Sequence, residues 1–286
     1  MGRRFPPWLV KRLPVHSETA VPGILGDMKL ATVCREAKCP NRAECYAHGT
    51  ATFLIMGTVC TRNCRFCAVS KGTPAPLDSG EPNRVAQAAR KMGLKYVVIT
   101  SVTRDDLPDG GAAHFAESIH AVKSATGAEV EVLIPDFGGD TAAVDTVLAS
   151  HPVVFNHNVE TVPRLYPTVR PMADYKRSLL VLEHAARVGA VTKSGIMVGF
   201  GETENEVLAV LTDLRAAGVK YVTIGQYLAP TGAQVPIADF IRPETFDKYA
   251  RAAHEMGFSG VASSPFVRSS YHAASLAGRD PSGTIQ

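Results

Sequence analysis

The chain has 286 residues, 45% of them hydrophobic, 20% charged and 7% aromatic; this excludes a disordered or fibrous protein and leaves length for a core that needs no disulfides. Thirty Lys+Arg against 27 Asp+Glu give a net charge of +3, too small and too interspersed for a nucleic-acid-binding face. No apolar run reaches the roughly 20 residues of a membrane span, and the start Met1-Gly2-Arg3-Arg4-Phe5-Pro6-Pro7 has neither a signal-peptide core nor a myristoylation signal, so the expected location is the cytoplasm.

An N-terminal arm to about residue 30, rich in Pro, Gly and basic residues, shows no sustained period; Trp8, Leu9, Val10 and Leu13 are its apolar anchors. From Thr52 onward short Val/Ile-rich runs read as strands: FLIMG at 53–57, YVVITS at 96–101, EVEVLIP at 129–135, VVFNHN at 153–158, VTKSGIMV at 191–198 and YVTIG at 221–225. Between and after them, helical patterns fall at about 83–92, 112–125, 141–149, 174–188, 204–217 and 243–256. Near-continuous apolar strands separated by helices predict a parallel sheet covered by helices. Six such units predict an α/β fold, a partial (β/α)6 TIM-like barrel over 51–260, with an N-terminal extension 1–50 and a C-terminal extension 261–286. Chemistry in such barrels sits at the C-terminal strand ends, where Gly57 to Cys67, Ser101 to Asp106, Asn156 to Glu160 and Gln226 fall.

All six cysteines lie between positions 34 and 67. They form two triads, Cys34, Cys39 and Cys45 with four and five residues between, then Cys60, Cys64 and Cys67 with three and two. A disulfide framework belongs to short secreted chains, which this is not. Structural zinc wants four ligands in paired knuckles; His48 would complete one set, nothing completes the other, and zinc stands second. Three thiolates suit an iron-sulfur cluster better, because a cubane normally takes four and a triad leaves one iron open for chemistry. Two triads then predict two clusters.

The segment Cys60-Thr61-Arg62-Asn63-Cys64-Arg65-Phe66-Cys67 resembles the C-x3-C-x-aromatic-C signature of the radical S-adenosylmethionine superfamily. With C-x4-C-x5-C upstream, CREAKCPNRAECYAHGTATFLIMGTVCTRNCRFC is similar to the lipoyl synthase family. Further matches run through YVVITSVTRDDLPDGGAAHF at 96–115, FNHNVETVPRLYPTVRP at 155–171, TKSGIMVGFGETENEV at 192–207, TIGQYLAP at 223–230 and VRSSYHA at 267–273. The resemblance implies insertion of two sulfur atoms, at carbons 6 and 8, into an octanoyl chain carried on a protein lysine. It implies S-adenosylmethionine and one 4Fe-4S cluster on Cys60, Cys64 and Cys67, which would generate a 5'-deoxyadenosyl radical able to attack unactivated C-H bonds. It implies a second, auxiliary 4Fe-4S cluster on Cys34, Cys39, Cys45 and Ser270 as sulfur donor, with Ser269 as the alternative ligand. The implied partners are octanoylated lipoyl domains of 2-oxoacid dehydrogenases, the H protein of glycine cleavage, a low-potential donor such as ferredoxin or flavodoxin, and a cluster-repair protein.

Beside that family, Phe66, Asn156, Asn158 and Glu160 read as cofactor-binding, with Arg170 and Lys193 as cationic partners. A lysine inside an apolar strand needs a partner when buried, and Glu160 is the expected one. By their residue types alone, Asn156, Asn158 and Glu160 also fit a turn that caps the next segment. Gly199-Phe200-Gly201-Glu202 lacks the third glycine of a dinucleotide loop, whereas Thr203 and Glu206 have capping-box spacing. Arg104-Asp105-Asp106 and Gly110-Gly111 read first as a turn and helix start. The chain departs from the family pattern at Tyr46, Thr103, Gln234 and Ser264-Pro265-Phe266, none of which is a cysteine.

Overall fold

A computed structural model describes residues 4–11 and 19–279. Seven parallel strands follow one another round a single sheet: β1 (Thr52–Ile55), β2 (Tyr96–Ser101), β3 (Glu129–Leu133), β4 (Val154–Asn156), β5 (Thr192–Val198), β6 (Tyr221–Gln226) and β7 (Gly260–Ser263). The connecting helices are α1 (Glu81–Lys91), α2 (Ala112–Thr126), α3 (Thr141–Leu148), α4 (Tyr175–Arg187), α5 (Glu204–Ala216) and α6 (Pro243–Glu255). Among the described residues β7 pairs only with β6, and the outer edge of β1 pairs antiparallel with Ala31–Thr32. The ring is therefore an open α/β barrel, as expected from the strand and helix spacing. The seventh parallel strand was not expected: Gly-Val-Ala-Ser is short, lacks a Val/Ile run and leads into no barrel helix. It carries sheet pairing to Ser263, three residues into the region expected as a C-terminal extension.

Strand alternation divides the apolar residues. Val97, Ile99, Val130, Val132 and Phe155 pack outward on Val85, Phe115, Ile119 and Val144 of α1 to α3. On the other half Ile196, Val198, Val222 and Ile224 meet Val207, Leu211, Leu214 and Phe246 of α5 and α6. Each such side chain contributes on the order of 1.5–3 kcal/mol by burial. Local signals agree with the ends: Asp140 and Asp174 accept the Ala142 and Arg177 amides at the starts of α3 and α4, and Thr203 with Glu206 completes a capping box on α5. The N-terminal arm is anchored where Trp8 Nε1 donates to Ile241 O at 3.1 Å and the Phe5 and Phe240 rings meet at 5.6 Å. Leu13 lies outside the described residues.

The inner face is polar at the barrel floor. Lys193 Nζ reaches across β4 to Glu131 Oε1 at 2.8 Å, both fully buried, and the half-buried Tyr96 donates through Oη to Glu131 Oε2 at 2.7 Å. This corrects the expectation that Lys193 pairs with Glu160. Lys193 is the second residue of β5, at the N-terminal end, whereas Glu160 follows the C-terminal end of β4, so strand rise separates them by the depth of the barrel. Replacing Lys193 by Met should cost about 3–5 kcal/mol in urea unfolding, since it leaves a buried carboxylate unpaired. The double variant Glu131→Gln, Lys193→Met keeps an acceptor for Tyr96 and should recover most of that loss.

Candidate active site

At the C-terminal strand ends lies a cavity of about 320 Å3 that brings Cys34 and Cys39 to face Cys60, Cys64 and Cys67. A neighbouring cavity of about 760 Å3 shares Cys34, Cys39 and Ser270 and adds Cys45. Among the described residues no three His, Cys, Asp or Glu side chains are gathered closely enough to hold a single metal ion. His48, the candidate zinc ligand, sets Nδ1 against Glu44 O at 2.8 Å.

The loop bearing the second triad leaves β1 through Met56 and Gly57, both at positive φ (66° and 90°). Glu81 Oε2 fixes that turn, accepting the Met56 amide at 2.7 Å while contacting His114 Nε2 at 2.8 Å. Gly111 suits this place by its φ of 90°, and a Cβ on it would also sit 2.2 Å from Met56 Sδ. Farther on, Thr61 binds Thr103 O, Arg65 N donates to Val169 O at 2.8 Å, and Arg62 bridges Asp105 and Asp136 at 2.6–2.7 Å. The amides of Arg62 and Thr103 donate to Cys60 Sγ at 3.4 and 3.3 Å. Loops after β2, β3 and β4 thus converge on one cysteine loop. Arg104 closes its own turn on Asp106, so the Arg104-Asp105-Asp106 string is structural scaffolding, as its turn composition suggested.

Burial governs the ionisable groups. It pushes the Cys45 and Cys67 thiols up to about 12, with neighbouring thiols adding to the rise, and raises Cys34 and Cys64 as well. Free reactive cysteines are tuned the opposite way; thiols like these are deprotonated when a metal centre binds them. Burial would also raise Asp136, but Arg62 outweighs it by hydrogen bond and charge and holds the carboxyl at about 2. His157, which lines the cavity and which the sequence did not single out, is lowered by burial and by Arg170 to about 4, so it is neutral, with Nδ1 2.9 Å from Ile134 O. Its signal was adjacency to Asn156 and Asn158 alone.

The expected cofactor residues separate into two groups. Phe66, Asn158, Glu160 and Arg170 line the cavity. Asn156 and Lys193 lie opposite each other in the β4–β5 register below it and do not line it. Asn156 is fully buried, and its amide has no hydrogen-bond partner among the described residues. Arg170 Nη1 donates to Asn158 O, Val159 O and Tyr166 Oη at 3.0–3.1 Å, so it braces the turn after β4. Burial raises the Glu160 carboxyl, against the opposing pull of Arg170 and Asn158. Gln226 turns away and ties Val198, Asp239 and Ile241 together. Glu202 accepts the Gly199 and Phe200 amides, closing a turn rather than a phosphate loop.

The C-terminal segment enters the barrel mouth where two inner-face glycines make room. A Cβ on Gly225 would lie 2.1 Å from Val267 O, and one on Gly195 would lie 3.0 Å from Ser269 Oγ. Asn41 Nδ2 donates to Phe266 O at 2.7 Å and Tyr271 Oη to Glu44 Oε1 at 2.6 Å, tying this segment to the helix Arg42–Ala47 that carries Cys45. Ser269 Oγ accepts from Asn158 Nδ2 at 2.5 Å. Ser270 makes no side-chain hydrogen bond among the described residues, and it lines both cavities. The donor set therefore fits one three-thiol group with amide-supported sulfur, and one three-thiol group with a spare hydroxyl.

The radical SAM superfamily profile matches residues 54–214. The chain is 55% identical to a lipoyl synthase of Caldanaerobacter subterraneus subsp. tengcongensis over 275 residues, covering 96% of this chain and 97% of that protein. It is 53% identical to the lipoyl synthase of Geobacter metallireducens, covering 96% and 98%. A crystal structure of methylornithine synthase shares the fold with a TM-score of 0.55 at 16% identity, over 84% of this chain and 74% of that one.

The tail contact is open to test: Gly225→Ala should cost about 1–3 kcal/mol by overpacking and displace the segment after Pro265. Limited proteolysis would then cut between 265 and 272 in the variant and spare the parent protein. Asp136 predicts an acid dependence. With its carboxyl held near 2 against an ordinary 3.8, its contribution, about 2 kcal/mol, is complete above pH ~4 and lost as pH falls toward 2. The stability gap between the parent and Asp136→Asn, followed by denaturation from pH 6 to pH 2, should shrink over that window.

Proposed function

The chain belongs to the lipoyl synthase family of the radical SAM superfamily, and on that premise we propose how its residues divide the work of inserting two sulfur atoms, at carbons 6 and 8, into a protein-bound octanoyl-lysine. A 4Fe-4S cluster and S-adenosylmethionine come with the superfamily; a second 4Fe-4S cluster is our reading. Loaded, these groups supply one-electron chemistry, hydrogen abstraction and the transferred sulfur.

Cys60, Cys64 and Cys67 hold the first cluster, and the Arg62 and Thr103 amides directed at Cys60 Sγ support its sulfur charge. Cys34, Cys39, Cys45 and Ser270 hold the auxiliary one. The observation that carries this reading is that Cys34 and Cys39 open on the same cavity as Cys60, Cys64 and Cys67, with Cys45 on the cavity beside it, so a single bound chain reaches from one thiol group to the other. Phe66, Asn158 and Glu160 line that cavity and form the side where S-adenosylmethionine binds, while Arg170 orients Asn158 and Glu160 through the backbone it braces. Asn156 and Lys193 act indirectly, by building the floor under that site. Leu54, Val69, Leu133 and Ile134 give the cavity an apolar wall suited to an alkyl chain and to the exclusion of water.

Three functional parts follow: residues 1–50 bring the auxiliary thiols, 51–260 the barrel with its pairing continued to Ser263, and 261–286 the serine ligand. The substrate class is the octanoylated carrier protein, taken from lipoyl domains of 2-oxoacid dehydrogenases and the glycine cleavage H protein. Consumption of the auxiliary cluster calls for a repair protein, and the first reduction for a low-potential ferredoxin or flavodoxin. No helix among the described residues is long and apolar enough to cross a membrane, and the cytoplasm is the proposed location.

The test is an anaerobic reaction of iron- and sulfide-reconstituted protein with an octanoyl-lysyl peptide, S-adenosylmethionine and dithionite, read by mass spectrometry. The peptide should gain two sulfurs while 5'-deoxyadenosine forms. Cys39→Ala and Ser270→Ala should still form 5'-deoxyadenosine but lose sulfur insertion; Cys64→Ala should lose both products. 5'-Deoxyadenosine with an unmodified peptide would mean a radical enzyme with another substrate.

A further inference from the structure

Ser269 and Ser270 are neighbours with opposite surroundings. Ser269 Oγ is held by Asn158 Nδ2 at 2.5 Å, and the same amide reaches Glu160 Oε1 at 3.1 Å. The pair sits in a slot cut by Gly195, where a Cβ would come within 2.8 Å of Asn158 Oδ1 and 3.0 Å of Ser269 Oγ. On the far side of Ser270, the Tyr271 hydroxyl is fixed to Glu44, next in sequence to Cys45. Ser270 is thus the one residue of Ser269-Ser270-Tyr271 whose hydroxyl has no partner among the described residues, and it is bracketed by two that are held.

We propose that the Asn158–Ser269 hydrogen bond is a latch that sets the position of Ser270 at the auxiliary thiols, making Ser269 and Asn158 positioning residues for a ligand that neither provides. The proposal rests on the reading of Ser270 as that ligand. The physical reason is that bonds of different origin hold the segment: Asn41 fixes Phe266 O ahead of it, and Asn158 and Tyr271 flank Ser270. Tyr271 ties it to the cysteine-bearing helix and would move with that helix, whereas Asn158 is rooted at the end of β4, in the rigid barrel. With the Asn158 bond absent, the backbone at Ser270 keeps only the anchors that Asn41 and Tyr271 make to the cysteine-bearing part of the chain, and gains the freedom to turn its hydroxyl away from Cys34, Cys39 and Cys45. The bond also joins the two sides of the cavity, since Asn158 contacts Glu160 on the side of the Cys60 triad and Ser269 on the side of the auxiliary triad. A serine held in this way stays in place until something at Asn158 lets it go.

The experiment uses the full chain with Cys60, Cys64 and Cys67 changed to Ala, so that only the auxiliary cluster loads and S-adenosylmethionine plays no part. Reconstituted proteins carrying Ser270→Ala, Ser269→Ala, Asn158→Leu or the last two together are compared by electron paramagnetic resonance of the reduced cluster. Iron release to a ferrous chelator is followed in parallel, and circular dichroism verifies folding. Ser269→Ala is expected to reproduce the Ser270→Ala spectrum and to release iron about 5-fold faster than the parent, the factor that loss of one hydrogen bond represents. Asn158→Leu should match it, and the double variant should add nothing further. If Ser270→Ala alters the spectrum while Ser269→Ala and Asn158→Leu leave it unchanged, the latch is overturned and the ligand reading stands. If Ser270→Ala itself leaves the spectrum unchanged, the ligand reading fails and the latch fails with it.

Discussion

The site depends on the close approach of the C-terminal segment to the inner face of the barrel. That approach is possible because β5 and β6 each present a glycine at the contact: Gly195 and Gly225 leave only backbone where Ser269 and Val267 arrive. Everything brought to the mouth by that segment follows from it, including the bond of Ser269 to Asn158, the exposure of Ser270 to both cavities, and the tie from Tyr271 to Glu44 beside Cys45. A side chain at Gly225 would push the segment outward, away from Cys34, Cys39 and Cys45, and one at Gly195 would meet Thr223 Oγ1 and Asn158 Oδ1 before Ser269 Oγ. Neither glycine has an unusual φ, so the requirement is steric.

The barrel beneath is organised to keep that mouth rigid. Outward-facing Val and Ile side chains pack on the helices in two clusters, and the floor is closed by Tyr96, Glu131 and Lys193, a buried polar group with each charge met. Such a group adds little net stability over an apolar floor, and it is costly to leave half made. At the upper rim, Arg62 with Asp105 and Asp136, and Glu81 with the Met56 amide and His114, fix the cysteine loop from the loops after β2 and β3 and from α1 and α2. The cysteine loop needs this because its own hydrogen bonds cannot hold an irregular backbone in one shape.

The strand and helix order was legible because each element has its own periodicity and punctuation. Six strands and six helices fall within a few residues of their expected places, and Thr203 with Glu206 caps α5 as its spacing suggested. The seventh strand was not legible, since Gly260–Ser263 owes its extended form to pairing with β6 rather than to its own residues. Among the site residues the cysteines announced themselves by clustering. Lys193 did not reveal its true partner, because Glu131 lies 62 positions away and is brought near only by the alternation of two strands on either side of β4. His157 and Asp136, polar residues beside apolar strands, carried no pattern that set them apart.

Sequence alone therefore determined the kind of chemistry and the order of the elements. Thiol spacing and apolar periodicity are local properties, written within a few residues and independent of what comes to lie opposite. Tertiary structure alone decided that Cys34 and Cys39 share one cavity with the second triad, that Glu131 rather than Glu160 neutralises Lys193, and that Ser269 is hydrogen-bonded while Ser270 has no side-chain partner among the described residues. Those facts depend on which strand edges and chain ends meet across the barrel. Packing settles such meetings, through the depth of a side chain along its strand and the absence of one at Gly195 and Gly225.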